Sequence, residues 1–149
     1  MRMALLSALF AATVLAAAGA SAQDEPKPKL PDLKAKEWKK LGDAGLEMWD
    51  VKEGKGEAVK PGAKIKIHYT GWLTNGDIFD SSVVRKEPIE FPLEELIKGW
   101  QEGVPGMKVG GVRRLKIPPE LGYGSNARPG IPADSTLVFE IELLEMENK

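Results

Sequence analysis

The sequence predicts an α+β domain, an antiparallel sheet of about five strands with one short α-helix packed against it. Three observations carry that reading. Beyond Gly45, apolar and polar residues alternate with period two, the mark of strands buried on one face. Turn dipeptides separate the alternating segments. Only one stretch carries helical spacing, and glycine and proline end it soon after it begins.

The first strand is predicted over "LEMWDVKE". Pro61-Gly62 then turns the chain into "AKIKIHYTGWL", where Ile65, Ile67 and Tyr69 fall on one face and Lys64, Lys66, His68 and Thr70 on the other. Asn75-Gly76 is a strong hairpin dipeptide and links Trp72-Leu73 to the next strand at Ile78-Phe79. The helix follows: Leu96, Ile97, Trp100 and Val104 recur at its spacing, and Gly103, Pro105 and Gly106 stop it. "VRRLKI" gives a short fourth strand. In "TLVFEIELLEM", Leu137, Phe139, Ile141 and Leu143 share a face opposite Glu140 and Glu142.

The N-terminal part reads differently. Arg2, a small and apolar run from Met3 to Ala18 and the small-x-small ending Ala20-Ser21-Ala22 predict a signal peptide over 1–22, cut after Ala22. That run is too short and alanine-rich for a permanent membrane span, and its removal leaves a chain with no membrane element. Residues 23–43, dense in charge and carrying Pro26, Pro28 and Pro31, read as a flexible tether with a short helical turn around Trp38 and Leu41. The folded domain is then 44–149. The protein is expected to be exported, to a periplasm or out of the cell. With so short a tether ahead of a single domain, a monomer is expected.

Composition narrows the chemistry. The chain has no cysteine, one histidine and a net charge of −1, so packing alone must hold the domain, and nothing favours nucleic acid as a partner. Gly122-x-Gly124-x-x-Ala127 matches the dinucleotide fingerprint in form, but Pro129 and Pro132 prevent a helix from growing out of that loop. His68 lies opposite Tyr69, and one imidazole makes neither a zinc site nor a triad with Ser81. Glu94-Glu95 reads as a solvated turn before the helix, since sequence neighbours rarely face one site. No metal and no cofactor are expected. What remains is concentrated between Tyr69 and Gly130, where aromatic residues alternate with glycine and proline as an apolar pocket walled by loops requires.

"IHYTGWL", "FDSS", "IKGWQEGV", "GYG" and "TLVFEIELL" occur in the order and near the spacing of the FKBP-type peptidyl-prolyl cis-trans isomerases, which the chain resembles from about Leu46 to Leu144. The resemblance implies an antiparallel sheet wrapped around one short helix, with the pocket between them. Carried over residue by residue, it implies that Tyr69, Phe79 and Asp80 wall the pocket and that Trp100 forms its floor. Phe139 is similar to the deep aromatic wall, and Tyr123 to the tyrosine whose hydroxyl reaches the ligand carbonyl. Arg85 resembles the arginine paired with the aspartate. Phe91 lines the edge, Leu96 and Ile97 match the step whose isoleucine N–H binds the peptide or macrolide, and Ile131 matches the flap isoleucine. The chain departs from the common pattern at Ile89, where many members carry an aromatic residue, and at Arg128, which replaces a flap histidine. The loop before the helix and the flap are each about one residue shorter than in the best-known form.

The resemblance implies an isomerase for X–Pro bonds in exported polypeptides, open to macrolide inhibition and needing no covalent intermediate. The alternative is a non-catalytic module that holds proline-containing segments in the same groove. The full set of pocket aromatics favours catalysis.

Overall fold

The computed structural model describes residues 26–149. The expected signal peptide lies outside the described residues. Among the described residues, nine strands and two short helices follow one another in the order β1 (Lys39–Leu41), β2 (Leu46–Lys52), β3 (Lys55–Ala58), β4 (Lys64–Leu73), β5 (Ile78–Ser81), α1 (Ser82–Arg85), β6 (Ile89–Pro92), α2 (Lys98–Gly103), β7 (Lys108–Val109), β8 (Val112–Ile117) and β9 (Leu137–Glu147). The main sheet has the order β1-β2-β8-β9-β4-β5, with β6 also pairing with β4, and every pairing is antiparallel. It has seven strands because the short β1, β5 and β6 each pair with a longer neighbour. β3 and β7 make a separate two-stranded ribbon.

The period-two pattern sets the core. Ile65, Ile67 and Tyr69 of β4, Leu137, Phe139, Ile141 and Leu143 of β9, and Leu115 and Ile117 of β8 are buried on the face that receives α2. Burial of such side chains is worth about 1.5–3 kcal/mol each against exposure, the main force holding a chain without disulfides. The helix sits unusually close to the sheet. A Cβ on Gly99 would lie 2.5 Å from Ile117 Cγ2, and one on Gly103 would lie 2.6 Å from Leu115 Cδ2. Arg113 anchors the far end: its guanidinium donates to the Gly103 and Pro105 carbonyls, at 2.8 and 3.1 Å, and its Nε donates to Asp50 at 2.6 Å. A cation at a helix C-terminus is favoured by the unsatisfied carbonyls there.

Three elements differ from the expectations. The helix begins at Lys98, because Leu93–Glu95 form a 3₁₀ turn and Leu96 and Ile97 are extended, so those two residues belong to the loop ahead of the helix. A second helix, α1, follows β5, capped by the Ser81 hydroxyl, which accepts from the Val84 N–H at 3.2 Å. The third difference is in the segment expected to be a tether with a helical turn. Over its described length this segment lies on the sheet, and Lys39–Leu41 is a strand paired with Leu46–Met48.

The reason is the outer face of the sheet, which is partly apolar and cationic. Trp72, Val138, Lys116 and Trp49 lie there, opposite in strand parity to the core residues. The arm crosses them in turn. The Trp72 indole donates to the Pro28 carbonyl at 3.3 Å, and Lys116 Nζ donates to the Leu33 carbonyl at 3.1 Å. Lys116 Nζ also lies 4.7 Å from the centre of the Trp38 ring, and Trp38 meets Trp49 edge to face at 5.6 Å. Charge and proline content signalled low burial, yet these side chains supply the contacts that fix the arm.

Candidate active site

Between α2, β4, β9 and the loop after β8 lies a pocket of about 610 Å³. Its centre is a cluster of rings on the core face. Tyr69 meets Trp100 at 5.6 Å and 84°, Trp100 meets Phe139 at 5.2 Å and 83°, and Phe79 meets Phe139 at 5.5 Å and 89°. Edge-to-face packing of this kind points the positive edge of one ring at the negative face of the next. It fixes the rings relative to one another.

Local sequence explains how they converge. In β4–β5, Trp72 pairs with Ile78 and Gly71 with Asp80, so Phe79 is the extra residue of a β-bulge. The bulge lets consecutive residues, Phe79 and Asp80, both face the pocket, which a regular strand forbids. Gly71 makes room, since a Cβ there would lie 2.5 Å from Phe79 Cζ and 2.8 Å from Phe139 Cε1. Trp100 reaches the floor because the close helix contact at Gly99 lowers α2 onto Ile117.

The polar groups of the pocket are few and oriented. The Tyr69 hydroxyl donates to the Asp80 carboxylate, whose other oxygen accepts from Arg85. Burial, and then the Asp80 hydrogen bond, push the Tyr69 pKa up to about 12. Tyr69 N–H also donates to Ser82 Oγ at 2.7 Å, and Ser82 Oγ lies 2.9 Å from His68 Nδ1, which ties α1 to the back of β4. Gln101 Nε2 donates to the Leu96 carbonyl at 2.7 Å and holds the loop carrying Leu96 and Ile97. The Ile97 N–H and the Tyr123 hydroxyl make no hydrogen bond among the described residues, and both residues line the pocket. Arg128 stacks on Tyr123 at 4.8 Å.

Of the residues singled out from the sequence, Tyr69, Phe79, Asp80, Ile89, Phe91, Leu96, Ile97, Trp100, Tyr123 and Phe139 line the pocket. Two do not. Arg85 stands behind Asp80, and Ile131 is buried beneath the flap, where its backbone bridges to Arg128. Glu95, Gly122, Asn126 and Arg128 line it as well. Glu95 is exposed in the turn before the helix, as expected of a solvated turn. The 3₁₀ turn separates it from Glu94: Glu94 pairs with Lys149, while Glu95 stands at the pocket rim. Asn126 carried no signal of its own beyond its place in the "GYGSNARPGIP" loop. Among the described residues no group of histidine and carboxylate side chains could hold a metal ion, and no helix is long and apolar enough to cross a membrane.

Comparison with known proteins bears on this geometry. Residues 55–144 match the family model described as FKBP-type peptidyl-prolyl cis-trans isomerase. The chain is 50% identical over 105 residues to the "FK506-binding protein" of Neisseria meningitidis serogroup B, covering 68% of this chain and 96% of that one. It is 46% identical over 108 residues to the FKBP-type peptidyl-prolyl cis-trans isomerase FkpA of Escherichia coli K12, covering 72% of this chain and 40% of that one. The crystal structure of FkpA from Escherichia coli superposes with a TM-score of 0.71 at 46% identity, over 76% of this chain and 53% of that chain.

Proposed function

The chain belongs to the FKBP-type peptidyl-prolyl cis-trans isomerases, and from that membership we propose which of its residues turn the X–Pro bond and where the protein works. It catalyses cis-trans rotation about the peptide bond preceding proline (EC 5.2.1.8). Resonance in the amide sets a barrier of about 20 kcal/mol, and unaided rotation takes tens of seconds. In the twisted transition state resonance is lost and the carbonyl carries less charge. An apolar pocket with few, fixed donors therefore binds it better than the planar amide.

The observation that carries the assignment is the ring cluster around the 610 Å³ pocket together with two donors that have no partner in the described chain. The proline ring lies on Trp100, walled by Tyr69, Phe79 and Phe139. The Ile97 N–H and the Tyr123 hydroxyl donate to the carbonyls flanking the bond. Asp80, held by Tyr69 and Arg85, faces the twisting carbonyl. Ile89 and Phe91 form the rim. An acceleration of about 10⁴-fold asks for about 5.4 kcal/mol, which shape, desolvation and two hydrogen bonds are of the order to supply. No covalent step enters.

Substrates are proline-containing polypeptides in the exported compartment, reached after cleavage following Ala22, and the protein acts as a monomer without cofactor. A macrolide occupies the same pocket and competes with substrate. The test is cis-to-trans exchange in X–Pro tetrapeptides with Phe, Leu or Ala before proline, using residues 23–149 with and without macrolide. Acceleration abolished by macrolide supports the reading. A folded protein that leaves the exchange rate unchanged refutes it. Mass determination of the protein isolated from its host checks cleavage after Ala22.

A further inference from the structure

The pocket does not end at its aromatic wall. Phe79 and Asp80 also form one side of a second cleft, of about 310 Å³, closed by Ile78, Val84 and Arg85 and by Lys27 of the N-terminal arm. This cleft lies along β5, the edge of the sheet. Because the two share Phe79 and Asp80, a peptide with proline over Trp100 that continues past Phe79 enters the cleft directly. At about 3.3 Å per residue, side chains three or four positions from the proline come within reach.

The walls define what fits. Ile78 is half-buried and Val84 is 47% exposed, which gives an apolar floor that an aliphatic side chain would cover. Asp80 and Arg85 neutralise each other. Among the described residues Lys27 makes no hydrogen bond or ion pair, and it adds a cation to the cleft beside that neutral pair. It is also held in place. Its neighbour Pro28 accepts the Trp72 indole N–H, so the lysine is displayed from a fixed point of the arm rather than from a loose end.

We propose that this cleft is a second substrate subsite, in which the arm helps to bind the residues flanking the proline and selects an aliphatic side chain next to an acidic one. The proposal rests on the isomerase reading and deepens it. The preferred substrate becomes an extended polypeptide segment with local negative charge, and a short peptide uses only part of the binding surface. Rim charges of this kind contribute modestly, and added salt screens them.

The experiment compares a tetrapeptide X–Pro core with octapeptides that extend it on either side by Val-Glu or by Val-Lys. The full chain is used as it stands and as Lys27→Glu and Val84→Ala. Exchange kinetics give kcat/KM, and anisotropy of the labelled peptides gives affinity. With the unaltered protein, the Val-Glu octapeptide should exceed its Val-Lys counterpart by about fivefold at low salt. Lys27→Glu should invert that order, and Val84→Ala should weaken both octapeptides by about threefold. The tetrapeptide, which does not reach the cleft, serves as the reference and should stay within about twofold throughout. Octapeptides with no charge preference, or a Lys27→Glu effect equal on short and long peptides, would overturn the proposal. If no peptide is turned over, the isomerase reading fails on its own account, and the order of affinities still decides for or against the subsite.

Discussion

At neutral pH the Tyr69 phenol keeps its proton, since burial and the Asp80 hydrogen bond push its pKa up to about 12 from 10.0. The folded value is the higher one. Its contribution to stability is therefore whole below pH 10, the unfolded value, and is lost as pH rises from there through about 12. Phenolate absorbance of the folded protein, compared with a Tyr69→Phe variant, should show this group ionising near pH 12 and not near 10. The rotation itself should not depend on this titration at physiological pH. Trp100 is a simpler case. Trp100→Ala removes the floor and the edge contacts to Tyr69 and Phe139, so kcat/KM on X–Pro tetrapeptides should fall by about 10²-fold or more. Stability read by urea should fall by about 3–4 kcal/mol. The pocket role of these rings is implied by the family resemblance, since period two by itself places Tyr69 and Phe139 only on the core face. The place of Glu95 at the pocket rim depends on a 3₁₀ turn that spacing does not reveal.

Among the elements, α2 is held to the sheet with no room for a side chain at its glycines. Ala at position 99 would set its Cβ 2.5 Å from Ile117 Cγ2, and overpacking of this sort costs about 2 kcal/mol. Gly99→Ala should lift α2 and Trp100 with it, raising KM as well as lowering stability, and Ile117→Ala should cost less stability when added to it than when made alone. The double-mutant comparison separates a steric cause from loss of backbone freedom. The strand Val112–Ile117 could be placed from sequence to the residue, although one of its inward positions is taken by Arg113. The start of α2 could not. Leu96 and Ile97 keep helical spacing while serving as extended loop residues that Gln101 holds in place. Likewise the bulge at Phe79 follows from pairing between two strands, and one strand's sequence does not contain it.

Across the whole molecule, the two faces of one sheet do separate work. The core face holds α2 and the pocket, and the outer face is bound by the arm through Trp72, Lys116 and Trp49. Trp38→Ala should therefore reduce global stability by about 2 kcal/mol while leaving tetrapeptide turnover within about twofold, measured by urea unfolding and exchange kinetics on the same preparation. The sequence disclosed the fold class and the core face. It concealed the arm, because a segment rich in lysine and proline can still be fixed by a few aromatic contacts. One feature of the topology bears on how the protein comes into being. β9 lies between β8 and β4, with a ten-residue register to β4, although it follows both in sequence. Until residues 137–147 have left the ribosome, the two halves of the sheet have nothing between them, and their pairing waits for contacts distant in sequence. A nascent polypeptide that stops short of them can hold its local hairpins but cannot close the sheet.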